Sequence, residues 1–228
     1  MKASAFRENH VRDIAIFDLD HTLSKRDTYL QFLILFLTAH PLNTMRCVFL
    51  PMAVLMHKLH LRDNSWLKEK FLRAVAGGSR IDHVNAFSEA FAKKIVQSGL
   101  HASAQARIEQ HRHNNDYLIL ASASFDFYVI PIARLLGFDE TICTRAEWDT
   151  SDRLTGQIVG NNCYGEFKKT VTEKVLASLC PHGKVTIYSD HHSDLPVLSL
   201  ASYAVAVNPT AKLRTIAVSS NITIEHWD

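Results

Sequence analysis

Four short apolar runs, each ending on polar residues, frame the sequence. Ile14 to Phe17 runs into Asp18, and Tyr117 to Ala121 into Ser122. Val185 to Tyr188 runs into Ser189-Asp190, and Tyr203 to Val207 into Asn208-Pro209. Unbroken runs of this length predict strands buried on both faces, as in a central parallel sheet. Between them, Ser103 to His111, Tyr128 to Leu136 and Phe167 to Leu179 carry helical patterns. Strand alternating with helix predicts an α/β fold with a doubly wound, Rossmann-like parallel sheet. In such sheets ligands bind beyond the carboxyl ends of the strands, so the polar residues that end the runs converge on one site.

Residues 28–97 break the alternation. Their pattern predicts helices over Thr28 to Ala39, Arg46 to Leu59, Ser65 to Val75 and Ile81 to Val96. Pro41 and Gly77-Gly78 mark the breaks, and Pro51 kinks or shortens the second helix. The expected organisation is an α/β core of residues 1–27 and 98–228, with 28–97 inserted after the first strand as a helical cap. A β-hairpin is expected between Thr141 and Cys163, around Asp152 and Gly156.

Composition narrows the class. The 228 residues are 47% hydrophobic and 21% charged, which argues against disorder. A net charge of +2 leaves no nucleic-acid footprint. Cys47, Cys143, Cys163 and Cys180 have no CxxC spacing, so free thiols are expected instead of a disulfide framework or a zinc site. Met1 to Asp13 is polar and lacks the apolar core of a signal peptide, so cytoplasmic residence is the expectation.

The sharpest chemical signal is Phe17-Asp18-Leu19-Asp20-His21-Thr22-Leu23. Two carboxylates two residues apart, just past a strand, suit a shared divalent ion, and magnesium prefers such hard oxygen ligands. A carboxylate also serves as a nucleophile, giving an aspartyl-phosphate, while a second acid protonates the leaving oxygen and later activates water. The plain alternative is an Asp-rich turn. Ser122 and the backbone N–H groups of the following residues, Ala123 first, can hold a phosphoryl oxygen. Lys168 opens a helix where a cation balances phosphate charge, with Lys169 as the competing candidate. Asp190 completes the metal shell, and Asp194 orients a metal-bound water or Lys168. His191-His192 raises a zinc reading, but the oxygen-rich set suits Mg2+ better.

In this order, Asp-x-Asp-x-Thr, Ser, Lys and Ser-Asp-x-x-x-Asp closely resemble the haloacid dehalogenase (HAD) superfamily. The insert before Ser122, together with Leu195-Pro196 and Val207-Asn208-Pro209, looks like subfamily IB, which includes phosphoserine phosphatase. The resemblance implies a C1-type cap, an Asp18 nucleophile, and Asp20 as general acid and base. It further implies phosphate ligands in Ser122 and Lys168, and a magnesium site of Asp18, Asp190 and the Asp20 backbone carbonyl. Two departures stand out. His21 occupies a position where glycine is common, and Ala123-Ser124 replace the two glycines that follow the serine in phosphoserine phosphatases. Asp27 matches an acid that those enzymes use to bind the substrate amine.

Tyr29 to Leu37 and Cys47 to Met56 are almost wholly apolar, yet neither reaches the roughly 20 residues that span a bilayer. They read as core helices of the cap, or as an interfacial hairpin whose His40, Arg46, His57, Lys58, His60 and Arg62 meet lipid headgroups. Ala39-His40-Pro41-Leu42-Asn43 resembles a segment of a C-type phosphatidylglycerophosphatase. The expected substrate is therefore a small phosphorylated metabolite or a phospholipid headgroup. The protein would be cytoplasmic, or peripheral to the inner face of the membrane. The competing readings are dehalogenation, in which Asp20 has no task, and a catalytically silent membrane-associated binding module, which the complete set of acids and lysine argues against.

Overall fold

All four apolar runs form strands, and the structure, a computed structural model, describes residues 11–180, 182–220 and 222–228. Most of the polar N-terminal stretch, residues 1–10, lies outside the described residues. In chain order the strands are β1 (Ile14–Phe17), β2 (Tyr117–Phe125), β3 (Glu140–Thr144), β4 (Ala146–Trp148), β5 (Leu154–Ile158), β6 (Val185–Ser189), β7 (Tyr203–Val207) and β8 (Thr223–Glu225). Six of them build a parallel sheet in the order β3-β2-β1-β6-β7-β8. The chain winds outward from β1 in one direction and then the other, so the switch point lies between β1 and β6.

The register fixes where the polar strand ends meet. Phe17 pairs with Leu120 on one side and with Tyr188 on the other. Asp18 therefore leaves the sheet level with Ala121 and Ser189, and its N–H still donates to the Tyr188 carbonyl at 3.0 Å. Successive strand side chains alternate between faces. Ala15, Phe17, Leu118, Leu120 and Tyr188 enter one apolar cluster, and Ile14, Ile16, Ile119 and Ile187 the other. Burial on both faces accounts for the unbroken apolar runs.

The helices are α1 (Thr28–Ala39), α2 (Leu50–Lys58), α3 (Asn64–Ala76), α4 (Ile81–Lys94), α5 (Ala102–His113), α6 (Asp126–Leu136), α7 (Gly165–Ser178), α8 (Leu195–Leu198) and α9 (Ala211–Ser219). Helix α1 has the predicted bounds because the Asp27 carboxylate caps it, accepting the Leu30 N–H at 2.7 Å. Arg46 to Leu59 is not one helix. Pro41–Phe49 is a 3₁₀ stretch, and α2 starts only at Leu50, with Pro51 in the first turn where its missing N–H costs no bond.

The expected hairpin is β4-β5, tied at its turn by Asp149, whose Oδ1 accepts the N–H groups of Ser151 and Arg153. It lies against α3 so closely that a Cβ on Gly156 would stand 2.5 Å from the Arg73 Cα. Strands β3 and β8 have no apolar run to announce them. They are the two edges of the sheet, short and partly exposed, so their side chains need not all be apolar.

Helices α1, α3 and α4 share one apolar cluster with the Phe17 face of the sheet, and α2 contributes no residue to it. Phe32 is its hub. Fully buried, its ring lies 5.1 to 5.5 Å from those of Phe87, Phe91, Phe127 and Tyr128. Phe32→Ala should therefore cost about 3–5 kcal/mol in urea denaturation followed by circular dichroism. A loss below about 1 kcal/mol would mean that the α1–α6 contact contributes little to the fold.

Candidate active site

The loop after β1 is a single tight turn, Leu19–Leu23, closed where Ser24 returns both its N–H and its Oγ to the Leu19 carbonyl, at 2.9 and 3.0 Å. His21 sits in this turn at φ 60°, the left-handed region in which glycine is at ease. The turn sends the two acids in different directions. The Asp18 carboxylate meets Lys168, whose Nζ donates to Oδ1 at 2.8 Å. The Asp20 carboxylate turns instead toward the start of α1 and the end of β2. Its Oδ1 accepts the N–H and Oγ1 of Thr28 at 2.5 and 2.6 Å, and its Oδ2 accepts the Ser124 hydroxyl at 2.7 Å.

Lys168, in the first turn of α7, is 2% exposed, which separates it from its neighbour. Its Nζ also donates to Asp194 Oδ2 at 2.8 Å, and the same oxygen accepts the Ser189 hydroxyl at 2.8 Å. Lys169 points elsewhere, 3.8 Å from Glu173. Asp194 thus contacts Lys168 directly. Asp190 joins from the end of β6, and the Thr22 hydroxyl lies 3.4 Å from Asp18 Oδ2 and 3.3 Å from Asp190 Oδ1. Asp18 and Asp190 are thereby brought to either side of one small group.

The charges in this cluster do not balance. Among the described residues Lys168 is the one cation paired with Asp18 and Asp194, while Asp190 stands beside them. Burial, the largest cause, pushes Asp18 well above the ordinary carboxylate value. Lys168 pulls it down, and Asp194, Asp190 and Asp20 push it further up. Asp190 is pushed up to about 6, by burial first; His21 opposes the shift and Asp194 adds to it. Burial also works against the Lys168 cation, but Asp18 and Asp194 outweigh it and hold the lysine protonated. Among the described residues, no three His, Cys, Asp or Glu side chains converge as a ligand set. The Asp20 carboxylate, held by Thr28 and Ser124, is not a third side-chain ligand beside Asp18 and Asp190.

These groups line a cleft of about 440 Å³. Asp18, Asp20, Lys168 and Asp190 share it with Ala123, Ser124 and Asp27, and Tyr29, Leu30, Leu33, Leu67 and Phe71 form an apolar wall. Ser122 is fully buried within β2, does not line the cleft, and accepts the Ser124 N–H on its Oγ at 3.0 Å. The strand runs on to Phe125 with a register irregularity after Ala121, and this brings Ala123 and Ser124 to the surface of the cleft. Burial, with Asp20 next, raises the Asp27 carboxyl, and the Leu30 N–H opposes the shift.

Sequence spacing gives no sign of Lys68. It rises from α3 into the cleft, 9% exposed, and its Nζ contacts the Ala123 carbonyl and lies 3.5 Å from Asn162 Oδ1. Burial pulls it down to about 8, against the pull of Asp20 and Asp27. A lone lysine in an amphipathic helix reads as a solvated residue, and only the packing of α3 turns it inward.

A sequence model of the haloacid dehalogenase-like hydrolase family matches residues 15–199. A histidinol-phosphatase of Neisseria meningitidis serogroup C (strain 8013) is 34% identical over 110 residues, which are 46% of this chain. The match spans 50% of that relative's length. A crystal structure of a protein of unknown function from Bordetella pertussis Tohama I superposes with a TM-score of 0.79 at 26% identity, over 94% of this chain and 98% of that one. A substrate-bound phosphoserine phosphatase, at 17% identity, covers 94% of this chain and 93% of its own with a TM-score of 0.66 and shares the fold.

The Lys68 cation carries a burial penalty in the folded state only. With a folded value near 8 against an ordinary 10.5, the unfolded chain binds the proton more tightly between these pH values. The penalty is complete below about pH 8 and is relieved as pH rises toward 10.5. Lys68→Met should accordingly raise stability at neutral pH by about 1–3 kcal/mol, as read from thermal melts, and the gain should shrink above pH 8. A loss of stability would mean that the contact with Ala123 and the nearby acids outweigh burial.

Proposed function

We propose that this chain, which belongs to the haloacid dehalogenase-like hydrolase family, hydrolyses a small phosphomonoester with Asp18 as nucleophile. The carrying observation is that Asp18, held by Lys168 at the switch point of the sheet, shares a cleft with a second acid whose carboxyl has separate partners. An Asp18 oxygen attacks phosphorus, the ester P–O bond breaks, and the leaving oxygen takes a proton from the Asp20 carboxyl. Water then attacks the aspartyl-phosphate, giving its proton to Asp20, and releases phosphate and the Asp18 carboxylate. Lys168 and the backbone N–H groups beyond Ser122 would hold the phosphoryl oxygens, with Ala123 lining the cleft there. Asp194 keeps Lys168 in place. Residues 28–97 would act as a cap over the core of 1–27 and 98–228, supplying Lys68 to the cleft opposite the core residue Asp27 and excluding water.

The donor set fits magnesium. Asp18 and Asp190 present hard carboxylate oxygens across Thr22, with more negative charge than Lys168 offsets. Asp18, Asp190 and the Asp20 backbone carbonyl would hold the ion. Bound Mg2+ would supply charge neutralisation for the phosphoryl oxygens.

The substrate class we favour is a small phosphorylated amine. Asp27 offers a carboxylate at the cleft, and the apolar wall of Tyr29, Leu30, Leu33, Leu67 and Phe71 suits a ring or short hydrocarbon beside it. The relative named histidinol-phosphatase supports this class, and Ala123-Ser124 in place of two glycines sets this chain apart from phosphoserine phosphatases.

Asp18→Asn should lower p-nitrophenyl phosphate turnover by about a thousandfold or more while the circular dichroism spectrum stays native. Near-native turnover in that folded variant would remove the reading. Histidinol phosphate should be turned over with a higher kcat/KM than phosphoserine because of the apolar wall, and Asp27→Asn should lower kcat/KM for both amines while leaving p-nitrophenyl phosphate turnover nearly unchanged.

Magnesium should also be visible without catalysis. The Asp190 carboxyl titrates near 6 in the fold against an ordinary 3.8, so its charge destabilises the protein above about pH 6 and is relieved as pH falls toward 3.8. Magnesium should raise the Tm by a few degrees near pH 8 and much less near pH 5, against an EDTA control. Equal shifts at both pH values, or none, would count against an ion held by Asp190.

A further inference from the structure

Residues 41–62 turn their apolar side chains outward. Leu42, Met45 and Phe49 are 82%, 79% and 80% exposed, and Val48, Met52, Leu55, Leu59 and Leu61 are also exposed. Positions 42, 45, 49, 52, 55 and 59 recur at helical spacing through the 3₁₀ stretch and α2, and so form one stripe along a continuous rod. The opposite side, where Ala53 is buried, already packs inward, and Asn43 donates to the Val75 carbonyl at 2.8 Å. A monomer surface does not ordinarily expose so large an apolar face without an occupant.

Charge identifies that occupant. From Thr28 to Arg62 the chain has no Asp or Glu, while Arg46, Lys58, Arg62, His40, His57 and His60 lie within it. The acids at either end, Asp27 and Asp63, are engaged as the N-caps of α1 and α3. Beyond the stripe, the Trp66 ring is flanked by two cations, Arg62 at 5.5 Å and Lys70 at 5.2 Å from its centroid. Apolar side chains bordered by basic groups, with an indole at the boundary, match the apolar edge and anionic headgroups of a lipid leaflet. A second copy of this chain suits the face less well, because symmetric pairing would set one basic segment without an Asp or Glu against another, leaving Lys58 and Arg62 no acid within it to meet. No helix among the described residues is long and apolar enough to cross a membrane, so the contact is one of surface. We propose that residues 41–62 are a docking face for an anionic lipid surface.

The proposal goes beyond the catalytic reading, and its test uses the full chain. Co-sedimentation with vesicles of phosphatidylglycerol in phosphatidylcholine at low salt should give binding that weakens as salt rises. Vesicles of phosphatidylcholine alone should bind much less. Phe49→Ser with Met52→Ser, and separately Lys58→Glu with Arg62→Glu, should each weaken binding by about tenfold or more. All four positions are exposed and outside the cleft, so the Tm and p-nitrophenyl phosphate turnover should stay unchanged. The proposal is overturned by absence of binding at low salt, by indifference to phosphatidylglycerol, or by variants that bind as the parent does. Sedimentation velocity showing a dimer that Phe49→Ser with Met52→Ser dissolves would overturn it as well, by assigning the face to a second copy.

Discussion

Lys168 is the charge on which the site depends. A buried ammonium is costly unless it is paired and hydrogen-bonded, and the two carboxylate partners of Lys168 come from distant segments. Asp18 follows the first strand, Lys168 opens α7, and Asp194 follows β6, so the ion pairs form only when the β1–β6 register and the seat of α7 are both correct. The pairing is also incomplete. Asp190 adds a further carboxylate, the cluster keeps an excess of negative charge, and burial first, with the neighbouring carboxylates after it, raises Asp18 and Asp190. A site optimised for stability alone would not retain that excess.

The second acid is held by a different part of the molecule. Asp20 accepts two bonds from Thr28, the first residue of α1, and one from Ser124 near the end of β2. Its carboxyl thus reports on the position of α1 relative to the sheet. That position is set by the aromatic cluster around Phe32, which joins α1 and α4 to α6. Packing some distance from the cleft therefore fixes the orientation of the acid to which the proposed reaction assigns proton transfer.

Much of this was legible in the sequence, and for one reason. Asp18, Asp20, Asp190 and Asp194 stand beside apolar runs whose lengths fit buried strands, so the sheet topology alone brings them together. What was not legible depended on direction. Lys68 and Ser124 reach the cleft because of how α3 packs and how β2 bends after Ala121, and neither fact leaves a mark in spacing. Cys47 to Met56 reads as a core helix of the cap or as part of an interfacial hairpin, because apolar composition does not reveal which side has a partner. In the fold only one side of that rod meets protein, and the other carries Met52 and Phe49 outward. Edge strands β3 and β8 were invisible for the complementary reason that partial exposure removes the apolar signal.

The imbalances in the cleft have opposite signs. The carboxylates Asp18 and Asp190 are raised, which a bound cation would relieve, while Lys68 is lowered, which a bound anion would relieve. In the proposed reading each relief would favour the other, since a divalent ion beside Asp18 would reduce the repulsion an incoming phosphate meets, and a phosphate would add oxygens for the ion. Two ligands that bind in this way are coupled, and the coupling is reciprocal by thermodynamic necessity. The folded protein therefore holds its charges in place before either ligand arrives, at a cost in stability concentrated on a few buried groups. For the proposed phosphoryl transfer, such preorganisation would let charge developing at phosphorus meet fixed partners without waiting for solvent to rearrange.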